Sequence, residues 1–384
     1  MTPKELYLNR YAYYKEAILE CPSNSPEISI VIPCYNEPHL VDTLESLFQC
    51  DCPSNRVEVL VVINFSETEE GDIKENCLKN YEEVIAFSKK NQGHPLQLFP
   101  ILANPLPKKW AGVGLARKIG MDEALRRQSD EKSLIVCLDA DCTVQKNYLA
   151  ELDRFRVGNV RAPGCSIKFE HPFTNPGIED YELFLHYFIE AQRWVGFPFA
   201  FQTVGSSMAA RNYAYVKAGG MNKRKAGEDF YFLHKVIAQG DFTELNNTCV
   251  YPSDRFSTRV PFGTGRALLE YAQTSRVDCY PFEMFVELKK MVQFIPNLYH
   301  LDFTGTDQWG YGLTEFLKSL NFEEKIKEIR GRSGSYEVFE KHFFQWFDAF
   351  RLMKYGNYLL DKTGVMPDVR EEAEKLRRVN KNMV

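Results

Sequence analysis

The sequence predicts an α/β fold, a doubly wound and mainly parallel sheet followed by a mainly helical C-terminal region. Two observations support this. Over residues 27–265, short apolar runs alternate with segments of helical periodicity, which is typical of strands joined by crossover helices. Over residues 266–384, apolar residues recur mainly at three- and four-residue spacing, as on one face of a helix. Residues 1–26 are expected to form an N-terminal helical extension packed on the sheet domain.

Four apolar runs predict the first four strands, and each of the first three is followed by a polar turn and a segment with helical spacing. The runs lie at 28–33, 57–63, 96–102 and 134–138. Pro38 is expected in the first turn of the helix after the first strand, where proline is tolerated. The unbroken run 134–138 is typical of a strand that is buried on both faces.

The elements beyond the fourth strand are less regular in spacing. Helices are predicted over 147–155 and 179–194 and from about 228, and strands over 160–167, 203–211 and 247–252. The helix at 179–194 is strongly aromatic and is expected to pack in a core rather than face a cleft. Residues 367–384 are highly charged and are expected to form a solvated helix.

Composition excludes several classes of function. The net charge is −5 and the charges are interspersed, which argues against a nucleic-acid partner. The N-terminus lacks a signal-peptide pattern, and no run of 18 uncharged apolar residues is present. The ten cysteines form no Cys-x-x-Cys pair, which favours a reducing compartment. We therefore expect a cytoplasmic protein, with peripheral contact to the inner face of a membrane left open.

The fourth strand ends in two carboxylates, Asp139 and Asp141, separated by one residue. Side chains alternate along an extended backbone, so both carboxylates are expected on the same face. Ligands of open α/β sheets bind at the carboxyl ends of the strands, and two oxygen donors suit Mg²⁺ or Mn²⁺ when phosphate oxygens complete the shell. A solvated turn in which an aspartate caps a helix is the alternative.

Three motifs, in this order, resemble the signatures of family 2 glycosyltransferases of the GT-A fold. They are Ile-Val-Ile-Pro-Cys-Tyr-Asn-Glu at 30–37, Cys-Leu-Asp-Ala-Asp-Cys at 137–142, and Gly-Gly-Met-Asn-Lys-Arg-Lys-Ala-Gly-Glu-Asp-Phe at 219–230. The similarity covers about residues 27–260. It implies a GT-A nucleotide-diphospho-sugar transferase fold and metal-dependent, inverting transfer of a sugar to an acceptor hydroxyl. Mn²⁺ or Mg²⁺ would be the cofactor, and a carbohydrate or glycolipid the acceptor.

The resemblance also implies roles for individual residues. Asp141, and less directly Asp139, would hold the metal. Asp229 would be the general base, with Glu228 orienting a hydroxyl or a neighbouring cation. The nucleotide sugar would be bound by residues from five segments, namely Pro33, Tyr35, Glu37, Asn64, Arg117, Asp139, Arg255 and Arg259.

Three features qualify these expectations. Family members usually carry an acid after the second strand, where this chain has Asn64, so the base of the donor stays open. The segment of Arg255 and Arg259 could close over a donor or be an ordinary surface loop. Lys108 and Lys109 are expected to be solvated surface charge.

A Gln-x-x-Arg-Trp motif of processive synthases does not follow the Glu-Asp motif, so we expect a non-processive enzyme of glycan or glycolipid synthesis. One alternative is a catalytically silent nucleotide-sugar-binding protein on the same fold. The other is a sugar nucleotidyltransferase, which would need a glycine-rich phosphate loop after the first strand. The sequence leaves open the sugar, the acceptor, the third metal ligand and the oligomeric state.

Overall fold

A computed structural model describes residues 1–20, 25–53, 56–257, 263–300, 309–364 and 366–381. The chain divides into two compact units. Unit 1 comprises residues 1–172 and 203–263, and unit 2 comprises residues 173–202 and 264–384. The break between residues 263 and 264 lies beside the boundary predicted at 265, but residues 173–202 group with the C-terminal helices and not with the sheet.

Unit 1 is built on one eight-stranded sheet with the strand order β3-β2-β1-β4-β7-β6-β8-β5. The strands are β1 (Ile28–Cys34), β2 (Val57–Ser66), β3 (Gln97–Leu106), β4 (Leu134–Cys137), β5 (Thr143–Val144), β6 (Gly164–Phe169), β7 (Met208–Arg211) and β8 (Thr243–Tyr251). β1 pairs in parallel with β2 and β4, and β2 pairs in parallel with β3. The four strands predicted from apolar runs therefore form the parallel half of the sheet.

The other half of the sheet is mixed, which the apolar runs do not indicate. β7 is antiparallel to both β4 and β6, and β5 is antiparallel to β8, whereas β6 and β8 are parallel. β6 begins at Gly164 and β7 at Met208, later than the predicted starts at 160 and 203. The α/β fold class is confirmed, but this half of the sheet is mixed.

Seven helices surround the sheet in the described part of unit 1. They are α1 (Pro3–Tyr11), α2 (Leu40–Phe48), α3 (Gly71–Lys90), α4 (Val113–Arg127), α5 (Tyr148–Gly158), α7 (Asn212–Lys217) and α8 (Glu228–Ile237). α4 packs on β1 and β2, and its buried charges are paired, as Lys118 with Asp122 and Arg127 with Glu58. α2 begins at Leu40, so Pro38 lies in the turn before the helix and not in its first turn as predicted.

The N-terminal helix α1 packs on unit 1, as expected. Tyr7 is 3% exposed, and its hydroxyl donates to Asp122 Oδ1 at 2.8 Å. Lys118 Nζ donates to the same tyrosine hydroxyl at 2.8 Å. The helix is thus fixed to α4 by a buried polar network as well as by apolar contact.

Unit 2 is helical in its described residues. Its helices are α6 (Ile178–Val195), α9 (Thr264–Thr274), α10 (Phe282–Gln293), α11 (Ile295–His300), α12 (Tyr311–Ser319), α13 (Phe322–Gly331), α14 (Tyr336–Trp346), α15 (Ala349–Thr363) and α16 (Val369–Lys381). α10 and α12 lack side-chain caps of their own. Glu372 instead accepts a hydrogen bond from Phe282 N, and Glu287 accepts one from Leu313 N, so carboxylates from other helices stabilise both helix starts.

Two expectations about unit 2 can be compared with the structure. The aromatic helix α6 contributes buried residues such as Tyr187 and Ile189 to a core, as expected. The charged tail was expected to be a solvated helix, but α16 buries Val369, Ala373 and Leu376 along one face. Within the described residues, no helix has the length and apolar character needed to cross a bilayer.

Candidate active site

The candidate site begins at the tight turn after β4. Leu138 N donates to Val31 O at 3.1 Å, and Cys142 N donates to Asp139 O at 3.1 Å. The hydroxyl of Thr43 on α2 donates to Ala140 O at 2.8 Å and fixes the turn to that helix. The side chains of Asp139 and Asp141 remain 36% and 26% exposed. The turn therefore presents two carboxylates at the carboxyl end of the parallel strands.

Arg117 joins this turn to the start of α8. Its guanidinium, which is 4% exposed, donates from Nη2 to Asp139 and from Nη1 to Glu228. Burial opposes the charged form, but the carboxylates of Asp139, Glu228 and Asp229 outweigh it and raise the pKa of Arg117. A Cβ at Gly205 would lie 2.5 Å from Arg117 Nη1, so only glycine leaves room for this guanidinium. In this structure Arg117 positions two acids.

The second pair of acids lies in the first turn of α8. Glu228 is 2% exposed, and burial raises its pKa to about 7, against the opposing effect of Arg117. Burial also raises the pKa of Asp229, which is partly exposed and whose Oδ1 accepts a hydrogen bond from Phe230 N at 2.8 Å. Asp229 is therefore the member of the pair that a ligand can reach, and its basicity is increased.

Arg255 bridges two predicted site residues. It donates from Nη1 to Glu37 Oε1 at 2.7 Å and from Nη2 to Asp141 Oδ2 at 2.9 Å. Glu37 is 3% exposed, and Asn80 holds its backbone by accepting from Glu37 N at 2.9 Å and donating to Glu37 O at 2.7 Å. The hydrogen bond with Glu37 is the main cause that raises the pKa of Arg255. The carboxyl end of β1 is thereby connected to the Asp141 turn.

The remaining predicted binding residues lie near the ends of β1 and β2. Pro33 is buried within β1. Asn64 is 2% exposed, and its amide Nδ2 donates to Cys34 O at 3.0 Å, so this donor is already used inside the protein. Tyr35 is half-buried, and its hydroxyl donates to Glu69 Oε2 at 3.0 Å. Arg259 lies outside the described residues.

Sequence reasoning missed three residues of this site. Asn80 orients Glu37, Gly205 makes room for Arg117, and Glu69 binds Tyr35. Asn80 left a signal, because it is a polar residue on the otherwise apolar buried face of α3. Gly205 and Glu69 left none, since their importance depends on contacts with residues far away in the chain.

The fit of a divalent cation can be judged from the donors that are present. Asp139 and Asp141 offer partly exposed carboxylate oxygens, which are the ligands that Mg²⁺ and Mn²⁺ prefer. In the part of the chain that the structure describes, no group of three or more His, Cys, Asp or Glu residues could hold a metal. The residues fit a cation that takes its remaining ligands from water and substrate phosphate, as Mg²⁺ commonly does.

A family comparison decides the class of this domain. Residues 29–212 match the family model described as glycosyl transferase family 2. These residues belong to glycosyl transferase family 2. The matched range contains the first two motifs, while Glu228 and Asp229 lie just beyond it. The predicted enzyme class, a glycosyltransferase, and its GT-A fold class are confirmed.

Two solved structures show distant similarity to this chain. S. aureus TarS 1-349 in complex with UDP-GlcNAc has 15% sequence identity and a TM-score of 0.42, over 88% of this chain and 92% of that one. The mannosyltransferase PcManGT from Pyrobaculum calidifontis, in complex with GDP-Man and Mn²⁺, has 14% identity and a TM-score of 0.40, over 99% of this chain and 87% of that one. No curated protein sequence matches this chain significantly.

Proposed function

We propose that this glycosyltransferase uses a nucleotide-diphosphate sugar as donor and transfers the sugar to an acceptor hydroxyl with inversion, in a single displacement. The observation that carries the proposal is the double contact of Arg117 with Asp139 and Glu228. This contact brings the acids after β4 and the acids of α8 together at the carboxyl end of the parallel strands. A metal-assisted leaving group and a general base can act together only if both acid pairs lie at one site.

The acids after β4 are assigned to the donor side. Asp141 and Asp139 would hold Mg²⁺ or Mn²⁺ together with the donor diphosphate. When bound, such a cation neutralises the charge of a diphosphate leaving group. Arg255, which contacts Asp141 in the donor-free protein, is within reach of the same diphosphate once that contact opens. Pro33, Tyr35, Glu37 and Asn64 would line the nucleotide, and Arg259 would join Arg255 at the diphosphate.

Asp229 is assigned as the general base. Its carboxylate takes the proton of the acceptor hydroxyl while the acceptor oxygen forms a bond to the anomeric carbon. The bond from that carbon to the diphosphate oxygen breaks, and its electron pair leaves with the nucleoside diphosphate. Burial raises the pKa of Asp229, which makes it a stronger base than an exposed aspartate. Glu228, held by Arg117, orients the first turn of α8 and with it Asp229.

A thermal-shift screen tests this proposal. The donors are UDP-, GDP- and dTDP-sugars, each with and without Mn²⁺, applied to the wild type and to Asp141→Ala. A ligand that binds only the folded state raises the melting temperature by mass action. We expect one donor class to give a shift that requires Mn²⁺ and that Asp141→Ala abolishes. Absence of any shift, or a shift that the variant retains in full, would contradict the donor assignment.

The cellular setting follows from the same assignment. We propose a non-processive enzyme of glycan or glycolipid synthesis in the cytoplasm, where nucleotide sugars are available, with an acceptor that is a carbohydrate or a glycolipid. Residues 27–265 would form the catalytic domain, with 266–384 as a separate helical region. Co-sedimentation of the purified chain with lipid vesicles would decide whether it contacts membrane surfaces.

A further inference from the structure

Five cationic residues lie on two neighbouring segments of unit 1, and the proposed reaction uses none of them. They are Lys108, Lys109, Lys223, Arg224 and Lys225, and we call them the Trp110 cluster. The ammonium of Lys223 lies 4.5 Å from the centroid of the Trp110 ring, and that of Lys109 lies 5.4 Å from it. Two segments separated by more than a hundred residues of chain thus each place one ammonium group near the same aromatic ring.

Among the described residues, none of the five side chains of the Trp110 cluster forms an ion pair. The carboxylate of Glu67 accepts a hydrogen bond from the backbone N–H of Lys108 at 3.1 Å. This contrasts with Arg117 and Arg255, each of which binds two carboxylates. In a chain of net charge −5, five neighbouring cations whose side chains form no ion pair with a described residue indicate a site for an anionic ligand.

The loop that carries three of these cations is held in a defined position. Asn222 accepts from Arg224 N at 3.0 Å and donates to Glu228 O at 2.9 Å. A Cβ at Gly114 would lie 2.1 Å from Arg224 O and 3.0 Å from Glu228 Cβ, so the loop packs directly on the start of α4. A ligand that binds here meets a loop whose backbone is already in place, which lowers the entropic cost of binding.

The Trp110 cluster also adjoins the residue that we assign as the base. The guanidinium of Arg224 lies 3.8 Å from the centroid of the Tyr231 ring, which is in the first turn of α8. Asp229 lies in the same turn, and Lys225 precedes it by four residues. The acceptor must reach Asp229 for its hydroxyl to be deprotonated. A charged group on that acceptor would therefore come close to the cluster.

We propose that the Trp110 cluster binds a phosphate group of the acceptor, so that the preferred acceptor is a phosphate-bearing glycan or glycolipid. Four of its five cations are lysines, which bind phosphate as point charges. A phosphate monoester carries about two negative charges at pH 7, whereas a carboxylate carries one, so neighbouring cations attract the phosphate more strongly. The inference rests on the proposed function, because it needs Asp229 as the base. It goes beyond that function by naming the chemical class of the acceptor.

The first test measures binding without any transfer. Inorganic tripolyphosphate is titrated calorimetrically into the wild type with EDTA present, so that no metal-dependent binding at the donor site contributes. We expect Lys223→Gln/Lys225→Gln to weaken binding by about tenfold, and higher ionic strength to weaken binding to the wild type. The matched control is Lys217→Gln, an exposed lysine at the end of α7, which should bind as the wild type does. Equal affinity of the double variant would overturn the site.

The second test measures the choice of acceptor. Matched neutral, 6-phosphorylated and uronic-acid forms of one oligosaccharide are compared by kcat/KM, with the donor found in the thermal-shift screen. We expect the phosphorylated form to be preferred, and the double variant to reduce the preference over the neutral form by about tenfold. Equal use of neutral and phosphorylated forms, or a preference for the uronic acid, would overturn the assignment.

Two outcomes distinguish failure of the proposed function from failure of the acceptor assignment. If the wild type neither transfers nor hydrolyses any donor, the proposed function fails, while the tripolyphosphate titration still reports on the Trp110 cluster. If the double variant loses the thermal shift caused by the donor as strongly as it loses tripolyphosphate binding, the cluster binds the donor phosphates. That result would overturn the acceptor assignment.

Discussion

Two pairs of carboxylates flank Arg117, and they differ in their access to solvent. Asp139 and Asp141 occupy the turn after β4 and are 36% and 26% exposed. Glu228 is 2% exposed, and burial raises the pKa values of both Glu228 and Asp229. The first pair can offer oxygens to a cation, while the second holds protons more tightly. Burial therefore gives the same chemical group two different uses at one site.

The largest effect is expected from removing the cation between the two pairs. Arg117→Met leaves Asp139 and Glu228 without their shared partner, and loss of one member of a buried ion pair costs about 3–5 kcal/mol. We expect a large fall in the free energy of unfolding, measured by urea denaturation, together with loss of transfer activity in the protein that remains folded.

Arg127→Met is the matched control for this change. Arg127 forms an equally buried pair with Glu58, far along α4 from the acid pairs. It should lose comparable stability but retain activity per folded molecule. If the two variants behave alike in activity, Arg117 is only a structural residue and does not connect the two halves of the site.

A smaller effect concerns the pH dependence of stability. Folding raises the pKa of Glu228 from 4.5 to about 7, so the folded state holds this proton more tightly than the unfolded chain. The stabilisation that the proton provides is fully present below pH 4.5 and is lost as the pH rises through about 7. Because glutamine mimics the neutral acid, Glu228→Gln should become more stable relative to the wild type over this range.

The measurement is the melting temperature of donor-free protein as a function of pH. Parallel profiles for the wild type and Glu228→Gln would show that Glu228 does not titrate in this range. A wild type that gains stability relative to the variant as the pH rises would mean that Arg117 outweighs burial at Glu228. Either result would contradict the claim that buried Glu228 binds its proton more tightly than an exposed carboxylate does.

A further variant tests whether the exposed pair, Asp139 and Asp141, binds a cation. Arg255 contacts Asp141 in the donor-free protein, where its positive charge opposes a second cation. Arg255→Gln should therefore raise the affinity for Mn²⁺ alone by about threefold to tenfold, since the interaction is partly screened by solvent. Free Mn²⁺ can be followed by electron paramagnetic resonance. Arg154→Gln, at an exposed position on α5, should not alter the affinity, and an unchanged or lower affinity for Arg255→Gln would contradict the assignment.

Local sequence patterns revealed the motifs and the parallel half of the sheet. The run at 134–138 is uniformly apolar, and the run at 28–33 is apolar except for Ser29, because these strands are buried on both faces. Asp139 and Asp141 were visible because they come just after a strand, and Glu228 and Asp229 because they begin a helix. Information of this kind is local, so it can be read before any tertiary contact is known.

The connections between these features could not be predicted. Arg117 and Glu228 are 111 residues apart in the chain, and nothing in either segment indicates that they pair. β7 lies antiparallel to both of its neighbours, β4 and β6, so it lacks the crossover pattern of the parallel strands. The Trp110 cluster was likewise hidden, because Lys108 and Lys109 look like solvated charge until Lys223 is placed beside Trp110.

The most direct test of the central claim compares Asp141→Ala with Asp229→Asn in two measurements on the same preparations. One is Mn²⁺-dependent donor binding by calorimetry, and the other is the single-turnover rate of sugar transfer. We expect Asp141→Ala to lose donor binding, and Asp229→Asn to bind donor normally but transfer about 10²–10⁴-fold more slowly, because a general base acts mainly in the transition state. If both variants lose binding and rate to the same extent, the two carboxylate pairs do not divide the reaction as proposed.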